Sequence, residues 1–248
     1  TVDLLPTDIL GITTYTKEQG FTIVKGPVFA NYILADEINR SPPKTQSALL
    51  EAMQEKQVTI GKETFTLPPP FFVMATQNPI ETAGVYTLPE AQIDRFLFKL
   101  LMGYPTIQEE EKIVKNNITL KKFEEFDLKP RTSPKEIIEM QNITKKIFMS
   151  RAIEQYIVKI VNMTRNPKGL NLGKYIEWGA SPRASIGLFI AAKAEALIHS
   201  GSFVVPQHVK DVAHDVLRHR ILLNYEGQAE NIRTEDIVTE ILSKVPVP

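Results

Sequence analysis

The sequence predicts an α/β protein, a parallel sheet core followed by an all-α domain, on three observations. Val28–Ala35 and Phe71–Thr76 are almost continuously apolar, as strands buried on both faces of a parallel sheet are. Each run ends in polar groups, Asp36-Glu37 after the first and Gln77-Asn78-Pro79 after the second. From about residue 134 onward the apolar residues recur at helical spacing with no convincing strand. That shift divides the chain into an α/β core over 1–120, a polar, proline-containing linker over 121–132 and a helical domain over 133–248.

The elements follow in order. After the first strand, Asn39-Arg40-Ser41-Pro42-Pro43 breaks the run and starts a helix, with Ser41 as its cap and Pro42 in its first turn. Ala48, Leu49, Ala52 and Met53 give that helix one apolar face. Gln57–Ile60 and Thr64–Leu67 read as a hairpin turned at Gly61 and stopped by Pro68-Pro69-Pro70. Arg95–Leu101 is a third strand candidate, followed by a helix with a capping box at Thr106 and Glu109. Ser133-Pro134-Lys135-Glu136 repeats that box, and Ala152–Thr164, Pro182–His199, Pro206–Leu223 and Thr234–Val245 continue the helices as a small bundle.

Composition sets the limits on function. Of 248 residues, 29 are Lys or Arg and 29 are Asp or Glu, so no global field draws the chain to nucleic acid or to an anionic membrane. There is no cysteine, which excludes disulfides and thiolate chemistry and fits a reducing cytoplasm. No apolar run approaches the roughly 18 residues of a membrane span. The chain starts at Thr1 in mid-motif, and is read as part of a longer polypeptide.

Chemistry is concentrated at the strand ends. In open α/β sheets ligands bind beyond the carboxyl ends of the strands, which is where Asp36 and Glu37 lie. A hard Mg²⁺ ion takes carboxylate oxygen, and a second carboxylate can take the proton of an attacking water. The residues alone leave open a solvated acidic turn. Asn78 before Pro79 equally suits an ordinary turn, and Arg95 equally suits a pair with its neighbour Asp94 or a plain surface arginine. Arg183 follows Ser181-Pro182 in the first turn of a helix, where the macrodipole disfavours a cation. A cation tolerated there should have an anion to meet, and the residues alone leave open a solvated or carboxylate-paired arginine.

Taken together, Leu34–Arg40 with Pro42-Pro43-Lys44-Thr45-Gln46, Ala75–Pro79, Leu88–Phe96, Asp3–Asp8 and Gly26–Asn31 closely resemble the MoxR family of AAA+ ATPases. The helical half resembles the family's lid mainly through Arg183 and its setting. The resemblance implies an ATP-hydrolysing, chaperone-like remodeller that uses ATP and Mg²⁺. Asp36 then corresponds to the Walker B metal residue, Glu37 to the catalytic base, Asn78 to sensor 1, Arg95 to the arginine finger and Arg183 to sensor 2. It further implies self-association into a ring, expected to be a hexamer, and a von Willebrand factor A domain partner. Residues 11–24 and the 57–67 hairpin fall where this branch of AAA+ proteins carries insertions. A magnesium-chelatase-like ATPase subunit is the rival within the branch, and no basic stripe with interleaved aromatics favours a helicase-like motor.

One part of the pattern is missing: no G-x-x-x-x-G-K-[ST] phosphate loop occurs in these residues. The expectation is that the loop lies upstream in the intact protein and that this stretch alone turns over ATP poorly or not at all. A scaffold that keeps the AAA+ shape without turnover is the non-enzymatic alternative, although such a scaffold has no physical need of all five site residues.

Overall fold

The computed structural model describes residues 5–18, 20–79, 84–118 and 128–248. Part of the expected linker, residues 121–127, and the Asp3-Leu4 start of the first motif lie outside them.

The α/β part opens with a short helix α1 (Pro6–Leu10) and an antiparallel hairpin, β1 (Gly11–Thr16) with β2 (Gly20–Lys25). β3 (Tyr32–Ala35) follows, then α2 (Pro43–Glu55), a second hairpin of β4 (Gln57–Ile60) and β5 (Glu63–Thr66), and β6 (Phe72–Ala75). β3 and β6 run parallel and in register from Tyr32 opposite Phe72 to Ala35 opposite Ala75. Both segments with insertion-like sequence are therefore hairpins, and Gly61 makes the tight turn of the second at φ +63°. α3 (Glu90–Ile93) and α4 (Ile107–Ile118) complete this part.

The helical part comprises α5 (Pro134–Lys146), α6 (Arg151–Arg165), α7 (Pro182–Ile198), α8 (Pro206–Leu217), α9 (Tyr225–Ala229) and α10 (Thr234–Lys244). Ser133 caps α5 in a full capping box, its hydroxyl accepting from Glu136 N–H while the Glu136 carboxylate takes Ser133 N–H at 2.7 Å. A single apolar core runs from Ile147 to Val245, with Ile160, Leu188, Val209, Leu217 and Ile241 fully buried. The α/β part has two smaller clusters, one on Val28, Ala52, Val58 and Leu67 and one on Ile38, Leu49, Leu50 and Leu88.

Five expectations change. The first strand is only Tyr32–Ala35, because Val28 is drawn into the cluster under α2 and the chain turns there. Pro42, not Ser41, is the cap residue of α2, and no side chain caps it. The strands are covered on one face only: Tyr32, Leu34, Phe72 and Met74, at alternate positions, are 42–58% exposed. Arg95–Leu101 forms no strand; its backbone is bonded to side chains of the helical part, described below. That part also holds two strands that the helical periodicity concealed, β7 (Ile176–Trp178) paired antiparallel with β8 (Leu222–Leu223).

Candidate active site

Two groups of polar residues stand out. The first lies at the carboxyl end of β3 and β6. The ladder continues past the strands, with Thr76 N–H on the Ala35 carbonyl and Ile38 N–H on the Thr76 carbonyl, both at 3.0 Å. Between these bonds the Thr76 hydroxyl donates to Asp36 Oδ1 at 2.6 Å and accepts from Glu37 N–H at 2.8 Å. One hydroxyl thus fixes both acidic residues. Asp36 is exposed, and among the described residues its second oxygen has no hydrogen-bond partner. Glu37 sits in the left-handed region at φ 48°, uncommon for a residue with a long side chain. Such strain persists where the surroundings impose it, and it clusters at functional sites. Its carboxylate is steered by Arg40, 2.9 Å away. The Asn39 amide donates to the Asn78 carbonyl at 3.3 Å, which brings Asn78 to the same strand-end layer.

The second group is centred on Asp94. Its carboxylate accepts from the Ser181 hydroxyl at 2.9 Å, from Arg183 Nη1 at 3.1 Å and from Arg220 Nε at 2.9 Å. Burial alone would raise the Asp94 pKa, but the bonds from Ser181 and Arg183 and the Arg220 charge outweigh it and hold the carboxyl below the usual range. Burial lowers the Arg220 pKa, opposed by Asp94. Burial, and then the Arg220 charge, push His219 down to about 4, so it is neutral at physiological pH.

Ser181 caps α7 with Pro182 first and Arg183 second, as the sequence implies, and the anion that Arg183 meets is Asp94. Asp94 therefore does not pair with Arg95. Arg95 is exposed, and among the described residues its guanidinium has no partner. The structure thus gathers Asp36, Glu37 and Asn78 at the strand ends and places Arg95 and Arg183 around Asp94. Thr76 and Arg220 were missed in the sequence. The signal for Thr76 is a hydroxyl at the last position of a buried run; for Arg220 it is the Arg218-His219-Arg220 cluster between Leu217 and Ile221.

For Mg²⁺ the fit is that of a single carboxylate ligand. Asp36 offers one open oxygen at the strand end, its other being occupied by Thr76, and Mg²⁺ in nucleotide sites commonly takes one or two carboxylates together with water and phosphate oxygen. Among the described residues no group of three or more acidic, His or Cys side chains could enclose a metal.

Comparison with known proteins gives the family and the fold. A model of the ATPase family associated with various cellular activities (AAA) matches residues 1–98, and one of the AAA lid domain matches residues 171–241. The fold is that of an AAA+ domain with its lid. The whole chain aligns with chaperone MoxR1 of Mycobacterium tuberculosis at 46% identity, over 66% of that protein. It aligns with the uncharacterized protein YeaC of Bacillus subtilis at 45%, over 75%. A solved structure from Cytophaga hutchinsonii, described as a candidate ATPase, superposes with a TM-score of 0.90 at 45% identity, covering 99% of this chain and 75% of that one. The chain belongs to the MoxR family of AAA+ ATPases. It spans just under two thirds of the length of MoxR1.

Proposed function

We propose that the whole protein hydrolyses ATP to ADP and phosphate as a ring-forming MoxR-type remodeller, and that Asp36, Glu37, Asn78, Arg95 and Arg183 carry the reaction. The observation that carries this reading is the Thr76 hydroxyl holding Asp36 and Glu37 side by side at the carboxyl end of a parallel strand pair. The open oxygen of Asp36 would hold Mg²⁺, which when bound neutralises charge on the phosphate oxygens. Glu37 takes a proton from the attacking water as its oxygen bonds to the γ-phosphorus and ADP leaves. The bond to Arg40 keeps that carboxylate in one orientation. Asn78 supplies a neutral amide to orient the water. Arg183 contacts the nucleotide of its own subunit after leaving Asp94, and the exposed Arg95 completes the site of the neighbouring subunit. Residues 1–248 contain no phosphate loop of the usual pattern, so the activity is assigned to the whole protein and not to these residues alone.

Family membership supports the wider reading: a hexameric ring, chaperone-like work on client complexes with a von Willebrand factor A domain partner, and a cytoplasmic location. Among the described residues no helix is long and apolar enough to cross a membrane. Relatives named MoxR favour this reading over the magnesium-chelatase one.

The test is ATP turnover by the whole protein and its Glu37→Gln variant. The variant is expected to bind ATP but turn it over about 10²–10⁴-fold more slowly, the loss typical of a missing general base. Equal turnover removes Glu37 as the base, and inactivity of both proteins supports the scaffold.

A further inference from the structure

The segment that carries Arg95 is fastened to the helical part almost atom by atom. Arg220, whose side chain is 2% exposed, uses all five N–H donors of its guanidinium. Nε donates to Asp94 Oδ1 at 2.9 Å, and Nη2 to the carbonyls of Asp94 at 3.1 Å and Phe96 at 2.6 Å. Nη1 donates to the Leu97 carbonyl at 3.1 Å and to that of Val216 in the last turn of α8, just before it in the chain. His219 Nε2 meets the Phe96 carbonyl at 3.1 Å, Arg218 donates to the Lys99 carbonyl, and Lys99 N–H donates to the Asp215 carbonyl at 2.9 Å. Gly187 on α7 leaves room for Leu97, whose Cδ1 would lie 3.3 Å from an added Cβ.

Arg95 sits in the middle of this clamp. The residues on either side of it, Asp94 and Phe96, both have their carbonyls held by Arg220, while its own side chain is exposed and, among the described residues, unengaged. From this juxtaposition we infer that Arg220, supported by His219, is a positioning residue for Arg95: it fixes the finger's backbone to the lid, so that the lid of one subunit presents Arg95 to the next. The inference rests on the finger reading of Arg95. Lysine cannot take its place, because a single ammonium cannot make five bonds in the plane of a fork. Asp94 adds a connection, since its one carboxylate holds both the Arg220 of the clamp and the nucleotide-sensing Arg183.

The test uses mixed rings of the whole protein. Arg220→Lys, Arg95→Ala and the double variant are each assayed alone, and each single variant is then mixed with Glu37→Gln subunits, which have a dead site but an intact finger and clamp. Arg220→Lys alone is expected to lose about 10²-fold in turnover, the cost of an ångström-scale misplacement, with ATP affinity unchanged. Mixing restores it as mixing restores Arg95→Ala, and the double variant is no worse than Arg95→Ala alone. A merely structural defect would stay in the mutant subunit and resist rescue. Rescue of Arg95→Ala without rescue of Arg220→Lys overturns the positioning role while leaving the finger intact. Failure to impair or rescue Arg95→Ala overturns the finger reading and this inference with it. If Arg220→Lys does not assemble, the same comparison is made on His219→Leu, which removes one bond to Phe96, with a smaller loss and the same pattern of rescue expected.

Discussion

Asp36 and Asp94 bear the same carboxylate in opposite settings. Asp36 stands exposed at the end of a two-stranded pair, with one oxygen on Thr76 and the other open. Asp94 is 15% exposed and has its oxygens filled by Ser181, Arg183 and Arg220. A carboxylate with spare lone pairs at a strand end can take a ligand, whereas one saturated by cations is a fastening between two parts of the chain. The settings, more than the residue type, assign the roles.

The largest effect that could break this comparison comes from Asp94→Ala. It leaves Arg220 buried without its counter-ion and is expected to cost about 3–5 kcal/mol in denaturant unfolding. Arg183→Ala removes only the half-exposed arm of the same hub and should cost at most about 1 kcal/mol. Similar losses from the two would mean that Asp94 is not anchored by Arg220.

Acid comes next. His219 is neutral in the fold down to about pH 4, whereas the unfolded chain takes up its proton near the ordinary value of about 6.5. Between these values the unfolded state binds more protons, so stability falls as pH drops, by roughly 3 kcal/mol across the window. The depressed Asp94 extends the loss to lower pH, through its folded pKa below the usual carboxylate range. In unfolding followed from pH 7 to 4, His219→Gln should flatten the upper part of the slope.

Two smaller effects sharpen the contrast between the helical part and the exposed strands. Ser133→Ala removes the cap of α5 and should cost about 1 kcal/mol, seen as a lower melting temperature. Phe72 stacks on Tyr32 at 5.4 Å on the uncovered strand face, and Phe72→Ala should cost roughly 0.5–1 kcal/mol. A loss of several kcal/mol would show that face to be covered in solution.

Local rules make much of this fold legible in the sequence. Capping boxes at Thr106 and Ser133, the Gly61 turn, the paired strands and the acidic strand end all follow from spacing and residue type within a few positions. What escaped depends on distant partners. Arg95–Leu101 has the composition of a strand, but Arg220, more than a hundred residues later, takes the carbonyls of Phe96 and Leu97. A continuously apolar run could not reveal that one face of Tyr32–Ala35 lies open. The short β7–β8 pair is hidden because two or three residues carry no period. At the site, Asp36, Glu37 and Asn78 were visible as strand-end polar groups, whereas the Asp94 hub joins residues from three distant stretches and no local pattern encodes it.

The most direct measurement takes Asp36→Asn and Asp94→Asn of the whole protein side by side, reading magnesium-dependent ATP turnover and melting temperature. Asp36→Asn is expected to lose turnover with its melting temperature unchanged, while Asp94→Asn is expected to melt about 5 °C or more lower. Full turnover in Asp36→Asn, or an unchanged melting temperature in Asp94→Asn, would contradict these roles.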